Sequence, residues 1–214
     1  MRLRFLCPFL ILFFVDTVQA QISLYGGPQI TSAKYTINSI QQPTTSKIGF
    51  SVGAGIENQI EGPIYFAPSI HFSLQGYKVV FNQPAFPPAT DAKDNDVSLS
   101  TIELAPLFQI NISKAVSHLF VRFGPSMNVA VAGKETYDSL HLKTIAQNMT
   151  FSFGDYSLVT IAGNVQIGYQ HSSGISVLGR ISHGLTSLNN ADYGPMILHQ
   201  TVGLSIGYRL GKRK

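Results

Sequence analysis
Residues 197–210 read ILHQTVGLSIGYRL, and their two parities differ sharply. Leu198, Val202, Leu204, Ile206, Tyr208 and Leu210 share one parity, while His199, Thr201, Gly203, Ser205, Gly207 and Arg209 share the other. Side chains of a β-strand alternate between the two faces of its sheet, so this stretch is a strand with one greasy face and one polar or small face. Residues 101–112, TIELAPLFQINI, repeat the pattern: Ile102, Leu104, Pro106, Phe108, Ile110 and Ile112 oppose Thr101, Glu103, Ala105, Gln109 and Asn111. In residues 119–131 the apolar Leu119, Val121, Phe123, Met127, Val129 and Val131 oppose Arg122, Gly124, Ser126 and Asn128. Arg180 lies in phase with Ser176 and Ser182, and Glu57 with Ser51, Gly53 and Gly55. Every mid-strand charge is therefore expected on the polar parity.

Extending this reading along the chain gives eight strands, over 21–37, 47–60, 64–81, 98–112, 119–137, 156–170, 175–188 and 197–210, with almost nothing at helical period. Each is longer than the about five or six residues usual in soluble sheets, and long enough for a tilted membrane crossing of about 9 to 11. The connections alternate. Those at 61–63, 113–118 and 171–174 are tight, whereas 38–46, 82–97, 138–155 and 189–196 are longer and polar. In an up-and-down meander, alternate connections fall on opposite rims, so long loops share one end and short turns share the other with both termini.

Composition decides which face meets what. The 214 residues are 44% hydrophobic and only 12% charged, and beyond residue 20 no apolar run approaches the about 18 residues of a helical membrane span. A soluble barrel of this size would carry Lys, Glu and Asp along its exterior parity. Here the polar parity is mostly Gly, Ser, Asn, Gln and Thr with isolated charges of both signs, which suits a narrow filled interior. The expected fold is thus all-β: a closed, eight-stranded, antiparallel up-and-down transmembrane β-barrel. A soluble secreted barrel enclosing a small ligand is the competing reading. Phe66, Phe123, Tyr169 and Tyr208 lie on the apolar parity towards the short-turn end and are expected to form an aromatic girdle at a membrane interface, the alternative being ordinary core filling.

The first twenty residues fit a cleaved leader. Arg2 and Arg4 precede an apolar stretch over 5–15, and Val18-Gln19-Ala20 offers small residues before Gln21, so cleavage is expected between Ala20 and Gln21. An N-terminal anchor fits less well, because the apolar stretch is short, contains Pro8 and ends at Asp16. Residues 21–214 are then the barrel domain. Cys7 is the only cysteine and leaves with the leader, which excludes disulfides, thiolate metal sites and cysteine nucleophiles from the mature chain.

Several segments also resemble a known family, the PorT-like outer-membrane β-barrel proteins of Gram-negative bacteria. IGFSVGAGIE from Ile48 with IYFAPSIHFSLQGYK from Ile64 resembles its Gly-rich second strand and its third strand. TIELAPLFQINI with FVRFGPSMNVAVAGK from Phe120 resembles its Leu-Glu-x-Pro strand and the Gly-Pro strand after it. VLGRISHGLTSL from Val177 and VGLSIGYRLGKRK from Val202 resemble its Arg-containing strand and Gly-Tyr-Arg ending. Ser69 stands where the family often has Glu, and Leu210 where it often has Phe. The resemblance implies an outer-membrane location with both termini in the periplasm, outer-membrane lipid as the surroundings, and a structural or interaction role. A named member takes part in protein secretion. Thr201, Gly203, Ile206 and Tyr208 also look like the terminal-strand signal read by the barrel-assembly machinery.

Chemistry is sparse. Glu57, Glu103, Arg122, Arg180 and Arg209 are expected to pair inside the lumen as a structural charge network, because unpaired charges in a narrow interior are costly; Glu103 with Arg122 is the expected best pair. A narrow solute channel lined by these charges is the alternative, which would be porin-like. His71-x-Ser73 and His199-x-Thr201 could each be written as a base beside a nucleophile, as a lipid-modifying enzyme would need, but no carboxylate completes either set. No catalytic residues, cofactor or metal ligands are expected. The net charge of +4 is spread thinly, so nucleic acid is not a partner. Loops 82–97 and 138–155, the second holding His141, Met149, Phe151 and Phe153, are the expected contact surface for an envelope partner; the aromatics could equally pack on one another.

Overall fold
The computed structural model describes residues 21–141 and 143–210; the expected leader, with Ala20 at its end, lies outside the described residues. Among the described residues ten strands follow one another: β1 (Gln21–Ile37), β2 (Ile40–Gln41), β3 (Thr44–Glu61), β4 (Ile64–Val80), β5 (Asp94–Asn111), β6 (His118–Asp138), β7 (Thr144–Asn148), β8 (Val159–Gln170), β9 (Ile175–Gly184) and β10 (Met196–Leu210). Eight of them close a ring: each of β1, β3, β4, β5, β6, β8, β9 and β10 is antiparallel to the next, and β10 bonds back to β1 from Ile22↔Leu210 to Thr36↔Met196. Closure removes the sheet edges that an open antiparallel sheet would expose.

The two extra strands belong to the long connections. β2 folds straight back on β1 through Asn38 and Ser39, whose positive φ of 47° and 67° give the mirror-image turn that matches strand twist. β7 pairs with the far end of β6, so the expected loop over 138–155 begins as a hairpin extension of the barrel wall. At the other end the turns are tight, and Gly62 takes a φ of 52° between β3 and β4. Strand β5 begins at Asp94, four residues before the expected 98, because Asp94, Asn95 and Asp96 still pair with β4.

The parities settle which face is inside. Ser23, Gln29, Thr31, Ser51, Glu57, Thr101, Glu103, Gln109, Arg122, Asn164, Gln166, Arg180 and Thr201 are buried within the ring, while Leu24, Phe50, Val52, Ile70, Ile102, Phe108, Val165, Ile181, Val202 and Ile206 stand exposed around it. A soluble monomer rarely exposes an apolar patch above about 600 Å², yet here large apolar side chains cover every strand of the ring. On β4 the outward run goes from Ile64 to Leu74, and at about 3.3 Å per residue and a tilt near 40° it spans about 25 Å, the height of a lipid-facing band.

One expectation needs correction. Lys34, Lys78 and Lys134 lie within strands yet face outward, and Lys47 and Asp96 are only half-buried on the same outer wall. Strands of 17 to 21 residues overrun the apolar band at the long-loop end, and beyond it the outer wall meets polar surroundings, where outward charge carries no desolvation cost.

Candidate functional site
The interior gathers buried ionisable groups, and it is stacked in three levels. Nearest the short turns, Glu57 on β3 accepts from Arg122 Nη2 of β6 at 2.8 Å and from Arg209 Nη2 of β10 at 3.2 Å. Arg122 also donates through Nε to Gln109 Oε1 at 2.6 Å, and its guanidinium lies 4.7 Å from the centre of the Phe120 ring. These strands lie on different sides of the ring, so the cluster bridges the lumen.

In the middle, Arg180 of β9 donates to Glu103 Oε2 of β5 at 2.8 Å and to Gln29 Oε1 of β1 at 3.2 Å. Asn164 Nδ2 holds the other Glu103 oxygen at 3.3 Å and Ser126 Oγ at 2.6 Å. All of these side chains are buried, and charge-assisted bonds with shared neutral partners are the form in which buried charge is tolerated.

The expected Glu103–Arg122 pair does not form. Arg122 stands opposite Gln109 and Glu103 opposite Asn128, which separates the two by six residues, about 20 Å along the strands. The hairpin makes them neighbours in sequence. Their real partners come from across the lumen, on strands whose stagger the sequence alone does not display.

The third level, at the long-loop end, is apolar. Tyr35, Ile37, Tyr77, Val79, Val97, Leu99, Met149, Tyr156, Leu188 and Ile197 pack into one buried cluster, with Phe81 and Phe151 against it. Within it a single carboxylate, Glu135 of β6, is held by neutral donors: Tyr156 Oη at 2.6 Å, Asn95 Nδ2 at 3.1 Å and Gln147 Nε2 at 2.8 Å. Burial first, and then the neighbouring Tyr77 and Glu135, push the Tyr156 phenol well above its ordinary value, so it remains a donor. Tyr156→Phe takes one of three donors from a buried carboxylate. It is expected to cost about 1–3 kcal/mol in denaturant unfolding of the detergent-folded barrel.

The sequence carries only a weak signal of this plug. At Tyr77 and Val79 and at Val97 and Leu99 the inward parity turns apolar while Lys78, Asp96 and Ser98 stand outward, so the alternation reverses its polarity near the loop ends of β4 and β5. Loop 138–155 divides between the two alternatives read from its sequence: Met149 is buried and Phe151 packs on the plug, while Phe153 is 94% exposed. Phe86, Leu140 and Tyr193 are exposed at the same rim.

Neither histidine pairing forms a catalytic set. His71 Nε2 lies 3.1 Å from Ser69 Oγ and not against Ser73, and His199 Nδ1 donates to Gln75 Oε1 at 3.0 Å. His71 is walled inside the barrel beside Tyr25, with ring centres 5.0 Å apart. Among the described residues no three His, Asp or Glu side chains converge on a metal position. Of the aromatics expected to form a girdle, Phe123, Tyr169 and Tyr208 are exposed on the outer wall, and Phe66 is half-buried against Phe108 at 5.8 Å between ring centres.

Comparison with known proteins adds a sequence-family match. A family described as outer membrane protein beta-barrel domain matches residues 17–190. No curated protein sequence matches the chain. Among solved structures the chain is similar to Ail, the attachment invasion locus protein of Yersinia pestis, in complex with the heparin analogue sucrose octasulfate, at 12% identity and TM-score 0.47, covering 89% of this chain and 99% of that one. It is also similar to the outer membrane protein OprG of Pseudomonas aeruginosa, at 8% identity and TM-score 0.43 over 90% and 97% of the two chains.

Proposed function
The chain belongs to the outer membrane protein beta-barrel domain family, and from that premise we propose that it is a non-catalytic structural or interaction component of the outer membrane, with its termini in the periplasm and its long loops outside. The observation that carries this reading is the filled lumen. Two levels of charge-paired side chains and an apolar plug follow one another along the axis, and the cavity between the middle level and the plug has about 20 Å³, room for about one water. Side chains fill an eight-stranded interior, so a solute path would require several of these groups to leave together.

The exposed rim supports a contact role. Phe86, Leu140, Phe153 and Tyr193 project from the long connections while their neighbours anchor those connections to the barrel, which gives rigidly mounted apolar contacts for an envelope partner. The PorT-like resemblance adds protein secretion as the process such a partner would serve, and the terminal strand would be the element the assembly machinery engages. Residues 1–20 act in this reading as the cleaved export leader.

Planar-bilayer recording separates this from the channel alternative. The full mature barrel is expected to show no discrete ion-conducting steps at neutral pH. Regular steps that vanish in Glu103→Ala or Arg180→Ala would establish a conducting lumen and overturn the reading.

A further inference from the structure
The polar edge at the long-loop end of the apolar band is uneven around the barrel. On β9 and β10 it is marked by His183 and Gln200, but on β1, β3, β4 and β6 it carries Lys34, Lys47, Lys78 and Lys134. Three of these lysines meet at one place on β5. Lys47 runs across β4 with its stem over Gly76, where an added Cβ would come within 3.1 Å of the lysine Cδ and 2.4 Å of Val97 O. Its ammonium reaches Ser98 Oγ at 2.7 Å and Val97 O at 3.2 Å, and it pairs with Asp96. Lys78 pairs with the other Asp96 oxygen at 2.7 Å, and Lys134 stands in register with Ser98. Three ammonium groups against Asp96, with Asp94 two residues further along the strand, leave a local excess of positive charge.

Below this cluster, towards the band, the wall becomes thin. Gly49, Ser98, Ser100 and Ala132 leave an outward hollow of about 470 Å³ beside Ile48, Phe50 and Leu74. Past a row formed by Val52, Phe72 and Ile102, a second hollow of about 440 Å³ lies over Ala54, Pro68 and Pro106 on the same strands. From Lys47 to Ala54 is seven residues, about 18 Å along the membrane normal at a tilt near 40°, comparable with the about 15 Å of hydrocarbon in one leaflet.

Small side chains on a lipid-facing wall leave volume that a lipid chain must fill, and lysines at a headgroup level attract phosphate. We propose that the wall over β3, β4, β5 and β6 binds one phosphorylated saccharolipid of the outer leaflet, with phosphate on Lys47, Lys78 and Lys134 and an acyl chain lying in the hollows beneath. Asp96 holds Lys47 and Lys78 side by side, and Gly76 lets the Lys47 stem lie flat. This site rests on the reading that the long-loop end faces outside.

The test is titration of the full mature barrel, folded in a neutral detergent, with bis-phosphorylated lipid A, with its dephosphorylated form and with phosphatidylglycerol. Lys47→Ala combined with Lys134→Ala is expected to weaken lipid A binding at least tenfold, and removal of the phosphates to weaken it by a similar factor. Ala132→Phe, which fills the upper hollow and keeps all three lysines, is expected to weaken it about fivefold. Unheated gel mobility checks that each variant is a closed barrel. Lipid A binding that neither lysine loss nor dephosphorylation changes overturns the proposal. Lysine-dependent binding of phosphatidylglycerol in preference to lipid A overturns the saccharolipid assignment, and maleimide labelling of the long-loop rim then reports separately whether the orientation itself has failed.

Discussion

Glu57→Ala is expected to lower the unfolding free energy by about 3–5 kcal/mol, the largest loss from any single lumen substitution. Glu57 is the shared acceptor of Arg122 and Arg209, at 2.8 and 3.2 Å, and all three side chains are buried. Removing it takes from two buried guanidinium groups the carboxylate that they share. Glu57→Gln keeps an acceptor for one arginine and is expected to lose less. Replacing all three together, as Glu57→Met with Arg122→Met and Arg209→Leu, removes the desolvated charges as a set and is expected to recover most of the loss. The chain has no tryptophan, so unfolding is best followed by circular dichroism and by mobility on unheated gels. A loss below about 1 kcal/mol for Glu57→Ala would show that water enters the lumen at this level and screens the arginines.

Gly27→Ala is expected to damage closure itself, by about 3 kcal/mol. Gly27 sits in the seam where β1 meets β10, and a Cβ built there would stand 2.0 Å from Leu204 O and 2.8 Å from the Ser205 Cα. Both obstacles are backbone, so no rotamer relieves the clash and the two strands must part. Gly163→Ala, at a position with nothing within 4 Å, is the matched control and should fall within about 0.5 kcal/mol of the parent. Urea midpoints of the two variants in the same detergent check the contrast. Equal midpoints would mean that the seam does not close at this spacing.

Alternation made the barrel legible in the sequence because a closed sheet between lipid and a filled lumen forces two different environments on successive residues. The alternating connection lengths gave the two rims for the same reason. Which charges pair was not legible. Arg122 finds Glu57 across the barrel, and that contact depends on the stagger accumulated over β3, β4, β5 and β6, a quantity no local pattern carries. The plug was hidden because Tyr35, Tyr77 and Val97 obey the inward parity but not its polarity: beyond the membrane the lumen becomes a small apolar core. The outward lysines broke the simple charge rule at the same height. Lys47, Lys78 and Lys134 sit where the wall has left the apolar band, and only the register with Asp96 and Ser98 shows that they converge.

The most direct test of a membrane-spanning barrel with its long loops outside uses single cysteines in a chain whose one native cysteine, Cys7, is replaced by serine. Phe153→Cys marks the long-loop rim, Ser173→Cys the short turn between β8 and β9, and Val202→Cys the outward face of β10, where Val202 is 58% exposed. Each is treated with a membrane-impermeant maleimide on intact cells and after lysis. Labelling of intact cells at 153 alone, of 173 only after lysis and of 202 in neither condition is the expected result. Equal labelling of all three in a soluble fraction would contradict the membrane barrel, and labelling of intact cells at 173 rather than 153 would contradict its orientation.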